Sequence, residues 1–515
     1  MTGPLQSTPI HAEKHIQKAV ASLSSVQSGA ARKALLQWAQ RDLHHSLTFI
    51  NKAAPIGSIP PEILCQIFEI ANGVKQTEDY RPWSYPSRHK SLPIVVSQVS
   101  RYWRDVAINY PLLWTDIDIS PPWSLNTIRL FLSRSQTCPI ALSLAIPSLY
   151  IGSLLSPTAI NTSAWLLYDV IASHIPRCRR ITVKGDFERT MPLLDAFLNT
   201  IQHSSVPLLE QLVFHVTGVS EFNEEHQDVG ETPLFQLGAP SLTHVRLSGF
   251  AVPNCLPPLS QVTSLHLSVG DSTTTHLRSS FYDFSEMLLA CPSLNTLAIY
   301  DDFVWGPWPP TSEISLPSLR SLQIYGTFTC VSDLLRVIVA PLLEDLVIAP
   351  VVMDDLLEYH QFHHSTTSPK FRTLRSLTLS PVSAAGFELV KLAAECFPAV
   401  EQLTIPNIDS EGFLAVFTDP TIDVLWPDLK TLALRDIDGS TKTALLKFLS
   451  FRNAAAYSLQ SLCLDASSIQ LLLTDIQSLD FEVDVVERDV WSILRRDDPL
   501  HKESQFVGND FVFGR

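Results

Sequence analysis

Pro317-Ser-Leu-Arg-Ser-Leu-Gln-Ile-Tyr325 is followed by Pro341-Leu-Leu-Glu-Asp-Leu-Val-Ile-Ala349. Both read (Pro)-x-Leu-x-x-Leu-x-Leu/Ile, and this form recurs along the C-terminal two thirds of the chain. Its apolar triplets begin with Leu209, Leu212, Phe214; Leu242, Val245, Leu247; Val262, Leu265, Leu267; and Leu294, Leu297, Ile299. They continue with Leu319, Leu322, Ile324; Leu343, Leu346, Ile348; and Leu374, Leu377, Leu379. The last are Val400, Leu403, Ile405; Leu429, Leu432, Leu434; and Leu459, Leu462, Leu464, while Cys178, Ile181, Val183 form a worn first copy. Successive starts are mostly 24 to 33 residues apart, with one short step near Val262. Apolar stretches of helical character lie between them, as at Phe284 to Leu289, Val331 to Val339, Phe387 to Cys396 and Lys442 to Leu449.

Each unit therefore predicts one short strand and one helix. Alternation in the strand points the repeated leucines to one side, and stacked neighbours bury that side. Residues flanking the last apolar position then point away from the core: Ser248, Ser268, Ala298, Val347, Ser380 and Thr404, together with Arg246, His266, Tyr300, Gln323, Tyr325 and Thr378. Those last six are the expected target-binding residues. The surface they make is close to neutral, and tyrosine brings contact area with a polar tip. The pattern resembles the leucine-rich repeat. It departs from it where that repeat has Asn or Cys three places after the last strand leucine. Here Phe250, Gly270, Asp302, Thr327, Val351, Val382, Ile408, Ile437 and Ser467 stand instead. Without that side-chain ladder the turn backbone needs other partners, so an irregular solenoid is expected.

Upstream, residues His11 to Ala53 are mostly helix formers. Ile16, Val20 and Leu23 make one stripe, and Leu35, Leu36, Ala39, Leu43, Leu47 and Ile50 another; Ser25 to Gly29 breaks them. A packing helix pair is the expectation. A coiled-coil dimer is the alternative, with few heptads to support it. The next segment runs Ala54-Pro-Ile-Gly-Ser-Ile-Pro-Pro-Glu-Ile-Leu-Cys-Gln-Ile-Phe-Glu-Ile-Ala71. Pro60 and Pro61 suit a first helical turn, Glu62 favours its positive end, and Ile63, Leu64, Ile67, Phe68 and Ala71 form an apolar face. Those residues exceed what one narrow helix can turn inward, so part of the face is expected to be an exposed patch. Asn72-Gly73 is expected to end the helix, and a polar insert from Val74 to Ser91 follows. From Leu92 a second helix is expected, with Val95 or Val96, Val99, Trp103 and Val106 on one face and Tyr110-Pro111 as its stop.

The order Pro-x-Glu-Ile-Leu-x-x-Ile-Phe, then Val-Ser-x-x-Trp-Arg-Asp-Val-Ala, then Pro-Leu-Leu-Trp resembles the F-box, above all its fungal F-box-like version. That version is also similar in its preceding helix, its Pro-Ile lead-in and the Leu132 to Ile140 segment. The resemblance covers residues 54–120, and more weakly about 90 further residues. It implies binding to the Skp-type adaptor of cullin ubiquitin ligases through Pro61, Ile63, Leu64, Ile67 and Phe68, with Val99, Trp103 and Trp114 behind them. The insert is a departure that bears on this contact.

Composition excludes other classes. The chain has 515 residues, 45% hydrophobic and 17% charged, enough for two or three packed domains. Its formal charge of -15 repels phosphate backbones and anionic lipid, so no nucleic-acid or membrane partner is expected. Eight cysteines carry no C-x-x-C spacing, and the start shows no targeting pattern. Both fit a reducing cytoplasmic or nuclear setting. No nucleophile elbow, phosphate loop, dinucleotide fingerprint or H-E-x-x-H is present, so no catalytic residues and no cofactor are expected. His360 and His364 have the spacing of a metal pair on a helix, but a loop-like Ser-Thr-Thr-Ser-Pro follows, and no metal site is assigned. His44-His45 reads as solvated surface.

The expected architecture is α/β. A helical segment (1–53) leads into an F-box-like domain (54–120), a transition region with degenerate repeats (121–206), a leucine-rich repeat solenoid (207–480), and a cap and tail (481–515) with a short helix around Val485 to Leu494. The expected function is substrate recognition for a cullin-type ubiquitin ligase, the array binding an unknown protein target. The alternative is a repeat scaffold that engages no ligase.

Overall fold

A computed structural model describes residues 59–78, 91–120, 124–146, 157–217, 233–249, 252, 255–268, 279–300, 303–309, 312–325, 331–365, 370–380, 387–405, 414, 416–417, 424–435, 437–476 and 483–487. The helices expected before Ala53 lie outside them, as do residues 79–90 of the insert. The chain forms two compact units, one of Met1–Thr115 with Leu130–Cys138, the other of Asp116–Arg129 with Pro139–Arg515.

The first unit is helical. Helix α1 (Pro61–Glu78) opens on proline, whose missing N–H costs nothing there. It runs through Asn72-Gly73, where an end is expected; a glycine inside a helix costs only about 1 kcal/mol and does not forbid it. Where one second helix is expected there are two, α2 (Leu92–Val99) and α3 (Arg101–Ile108). Ser100 between them is extended, and its Oγ accepts the Trp103 N–H at 3.1 Å. A serine that caps a new helix outcompetes its own place inside a longer one. A 3-10 turn, Pro111–Trp114, closes the unit.

In the second unit all strands of the main sheet are parallel and follow one another in chain order. They are β1 (Asp116–Ile119), β2 (Ile140–Ala145), β3 (Cys178–Asp186), β4 (Gln211–Thr217), β5 (His244–Gly249), β6 (Ser264–Ser268) and β7 (Thr296–Tyr300). After these come β8 (Ser321–Tyr325), β9 (Asp345–Ala349), β10 (Ser376–Leu379), β11 (Gln402–Ile405), β12 (Thr431–Leu434), β13 (Ser461–Leu464) and β14 (Asp484–Glu487). The sheet thus already includes three strands before residue 207, and β14 stands where the short helix is expected.

Register explains the repeat. Leu265, Leu297, Leu322, Leu346, Leu377, Leu403, Leu432 and Leu462 oppose one another in a continuous row. Ile299, Ile324, Ile348 and Leu379 stand in a second row two residues on. Nearly all these side chains are completely buried. A monotonic strand order with right-handed crossovers sends every connection to the same face. The connectors include helices α4 (Leu125–Arg134), α5 (Pro157–Ala172), α6 (Phe187–Gln202), α7 (Phe281–Leu289), α8 (Val331–Val337), α9 (Met353–Ser365), α10 (Phe387–Cys396), α11 (Gly439–Ala454) and α12 (Ala466–Ile476). Successive connectors touch: α8 packs on α9, α9 on α10, and α11 on α12.

Two devices order the turns that lead into the strands. The first is a backbone ladder: the residue ahead of each strand donates its N–H to its counterpart one strand back, from Arg320 through Glu344, Arg375 and Glu401 to Lys430. These side chains alternate in charge, with ion pairs Arg320–Glu344, Arg375–Glu401 (3.1 Å) and Lys430–Glu401 (2.6 Å). The second is Arg452 on α11, fully buried. Its guanidinium donates to the carbonyls of Leu425 (3.1 Å), Trp426 (3.1 Å), Pro427 (3.3 Å), Leu429 (3.4 Å) and Tyr457 (2.9 Å). Five turn carbonyls converge on one side chain. The Trp426 indole N–H adds a bond to the Phe397 carbonyl at 2.8 Å.

Candidate functional site

The first unit is built around Trp114. Its ring is completely buried, its N–H donates to the Ala107 carbonyl at 2.7 Å, Phe131 meets it edge-on at 5.0 Å, and the Arg134 guanidinium covers it at 4.2 Å. Phe68 packs edge-on against the half-buried Trp103 at 5.3 Å, and the Tyr102 hydroxyl donates to the Ile59 carbonyl at 2.6 Å, fixing the entry to α1. Tyr110 donates to Glu69 on α1; burial, then that carboxylate, pushes the phenol above its ordinary range.

This core splits the apolar face of α1. Leu64 is 0% exposed and Phe68 is buried with it. They hold the helix down and are not surface contacts, which corrects the expectation that both meet a partner. Ile63, Ile67 and Ile70 point the other way, 46%, 40% and 68% exposed. Their i, i+4, i+7 spacing makes one stripe. Pro61 is exposed at its start. Val99, expected behind the contact, is half exposed, as is Val95 one turn before it, while Leu112 emerges from the 3-10 turn. Ile70, Val95 and Leu112 were missed by sequence reasoning. Ile70 was legible as the next member of the Ile63–Ile67 series. Three isoleucines in a row on one exposed helix face are unusual for a surface without a partner.

The second candidate surface is the face of the sheet opposite the leucine rows. Five of the six residues expected to be exposed there are buried. Arg246 is 2% and His266 1% exposed, Tyr300, Tyr325 and Thr378 are also buried, and Gln323 is half-buried. Large side chains on adjacent strands pack against one another here, and that outweighs the half-polar look of these positions. All but Thr378 form one continuous stack. The Arg246 guanidinium lies 5.2 Å from the Tyr300 ring centre. His266 stacks on the same ring at 6.2 Å, and Tyr300 stacks on Tyr325 at 4.9 Å. The Tyr325 hydroxyl donates to Gln323 Oε1 at 3.3 Å. Thr378 lies two strands further on, on β10.

Among the described residues no group of three or more His, Cys, Asp or Glu is placed to hold a metal ion. His360 lies on α9, and its Nε2 meets Glu395 of α10 at 3.0 Å. Nor does any described helix have the length and apolarity to cross a membrane.

Residues 56–120 match the F-box-like family. The match takes in α1 to α3, the Pro111–Trp114 turn and β1, so the exposed isoleucine stripe belongs to an F-box-like domain. Domains of this kind generally bind Skp-type adaptors, which points to a role in ubiquitin-ligase assembly or protein interaction. No curated protein matches the chain.

Proposed function

We propose that the chain is the substrate-recognition subunit of a cullin-type ubiquitin ligase. The observation that carries this reading is the Ile63–Ile67–Ile70 stripe, an exposed apolar face on the first helix of an F-box-like domain. Pro61, Val95, Val99 and Leu112 are further exposed or half-exposed apolar surface in the same unit. The sheet unit, read as an irregular leucine-rich repeat solenoid, binds the protein target. The support for that is the unbroken run of parallel strands joined mainly by helices, a shape that offers extended surface. The chain itself does no chemistry. It raises the concentration of target near the conjugating enzyme. Its free cysteines, mostly buried, suit the reducing cytoplasm or nucleus.

The test is co-elution of the purified full chain with a purified Skp-type adaptor on size exclusion. The wild type is expected to form a complex, and Ile63→Asp with Ile67→Asp to abolish it while the helical content stays unchanged. Failure of the wild type to bind the adaptor overturns the ligase reading in favour of a repeat scaffold.

A further inference from the structure

Helix α7 carries apolar residues on both of its sides. Phe281, Phe284, Met287 and Leu288 are buried and hold it down. The opposite side of a surface helix is ordinarily polar, yet there Tyr282 is 72% and Leu289 57% exposed. At 3.6 residues per turn these two lie about 20° apart around the helix and about 10.5 Å apart along it, so they make one ridge. Glu286 and Asp283, both exposed, follow on one flank of the ridge, and the sequence of α7 contains no Lys, Arg or His.

The other flank is aromatic. Gly306 takes a φ of 90°, which a residue with a side chain rarely adopts, and from that turn Trp308 comes back onto the helix. Its ring meets Phe281 edge-on at 5.4 Å and Phe284 at 6.0 Å, and Phe281 meets Tyr282 at 5.8 Å. Trp308 is half-buried, and Pro307 before it is exposed. The Ser280 hydroxyl donates to the Asp283 carboxylate at 2.7 Å and accepts the Asp283 N–H at 3.2 Å, which fixes the turn that presents Tyr282. Helices α8, α9 and α10 pack on one another in sequence, whereas α7 packs chiefly on extended chain at Ser279–Ser280, Val304–Trp305 and Ile314–Ser315.

We infer that the outer ridge of α7, Tyr282 and Leu289 with Trp308 on one flank and Glu286 and Asp283 on the other, is a docking site for a basic amphipathic helix of the target. Spacing and charge select that occupant. Leucines seven residues apart on a helix are separated by the same distance of about 10.5 Å, so a stripe of that period meets Tyr282 and Leu289 together. The carboxylates along one flank match Lys or Arg beside the stripe and repel an acidic partner. Tyr282 and Trp308 supply broad contact area with few torsions to freeze. The inference rests on reading the sheet unit as the target-binding body, but its test needs no adaptor. Loss of adaptor binding and loss of this site are therefore separate results.

The experiment measures fluorescence anisotropy of the full-length chain with labelled peptides of about 20 residues, long enough to form a helix. They are a Leu/Lys/Ala peptide with leucines at heptad spacing, its scrambled sequence, its Lys-to-Glu version and a proline-rich basic peptide. Saturable binding of the first alone is expected, weakening as salt is raised. Tyr282→Ala and Leu289→Ala are each expected to weaken it about tenfold, and Glu286→Lys to weaken it with a smaller salt dependence. Leu237→Ala removes an equally exposed leucine from a turn elsewhere in the unit and is expected to bind like the wild type. Circular dichroism checks that each variant is folded. The inference is overturned by no saturable binding of the heptad peptide, by equal binding of its scrambled or acidic version, by tighter binding of the proline-rich peptide, or by equal loss in Leu289→Ala and Leu237→Ala.

Discussion

Ile70→Asp and Leu64→Asp put the same carboxylate on opposite sides of α1, and the two should fail in different ways. Fully burying an isoleucine is worth about 1.5–3 kcal/mol. Ile70 is 68% exposed, so docking an adaptor over it gains about 1–2 kcal/mol. An aspartate there forfeits that gain and adds about 1–3 kcal/mol for desolvating an unpaired polar group. The combined loss of about 2–5 kcal/mol weakens adaptor binding roughly thirtyfold to several thousandfold. In the free chain the new carboxylate stays in water, so the fold should change by about 0.5 kcal/mol or less.

Leu64 has no water to turn to. Removing its buried side chain costs about 2–5 kcal/mol, and a buried unpaired charge adds more, against a typical total stability of about 5–15 kcal/mol. Leu64→Asp should therefore melt the helical unit, with adaptor binding lost as a consequence. Biolayer interferometry against purified Skp-type adaptor reads the affinity. Amide hydrogen exchange over residues 61–114 reads the local fold. Wild-type affinity in Ile70→Asp, or native protection in Leu64→Asp, would refute the division of α1 into an inner and an outer face.

Arg452→Met removes the guanidinium donor from five carbonyls and should cost about 3 kcal/mol or more, seen as faster hydrogen exchange over residues 425–434; unchanged exchange there would show that water replaces the guanidinium. Asp438 caps α11 by accepting from the Thr441 hydroxyl, the Thr441 N–H and the Ser440 hydroxyl, which lowers its carboxyl to about 2. The folded value lies below the unfolded one, so its contribution is present above about pH 3.9 and is lost as pH falls through about 2. Thermal melts from pH 5 to pH 2 should show that loss, and Asp438→Ala should remove this part of the pH dependence. Glu401 bridges Arg375 and Lys430 and is held below the ordinary carboxylate range, first by the Lys430 hydrogen bond. Glu401→Lys sets three cations in a row and should lower stability by about 1 kcal/mol or less, more at low salt than at high; a salt-independent change would speak against the ladder.

The leucine rows were legible in the sequence because a strand has a side-chain period of two and a stacked unit repeats at fixed spacing. Leu297, Leu322 and Leu346 could be aligned on paper and do stand opposite one another. The F-box-like order was legible for the same reason, as spacing. What stayed hidden was burial on the second side of an element. Ile63, Leu64, Ile67 and Phe68 are one apolar run to a helical wheel, and only Trp103 and its neighbours decide that Phe68 turns in and Ile67 out. Ser100 can sit inside a helix or cap one, and tertiary packing chose the cap. Arg246, His266 and Tyr300 carry the composition of a solvent-facing strand surface, yet across β5 to β8 they and Tyr325 stack on one another, a contact between strands that the pattern of any one strand does not show.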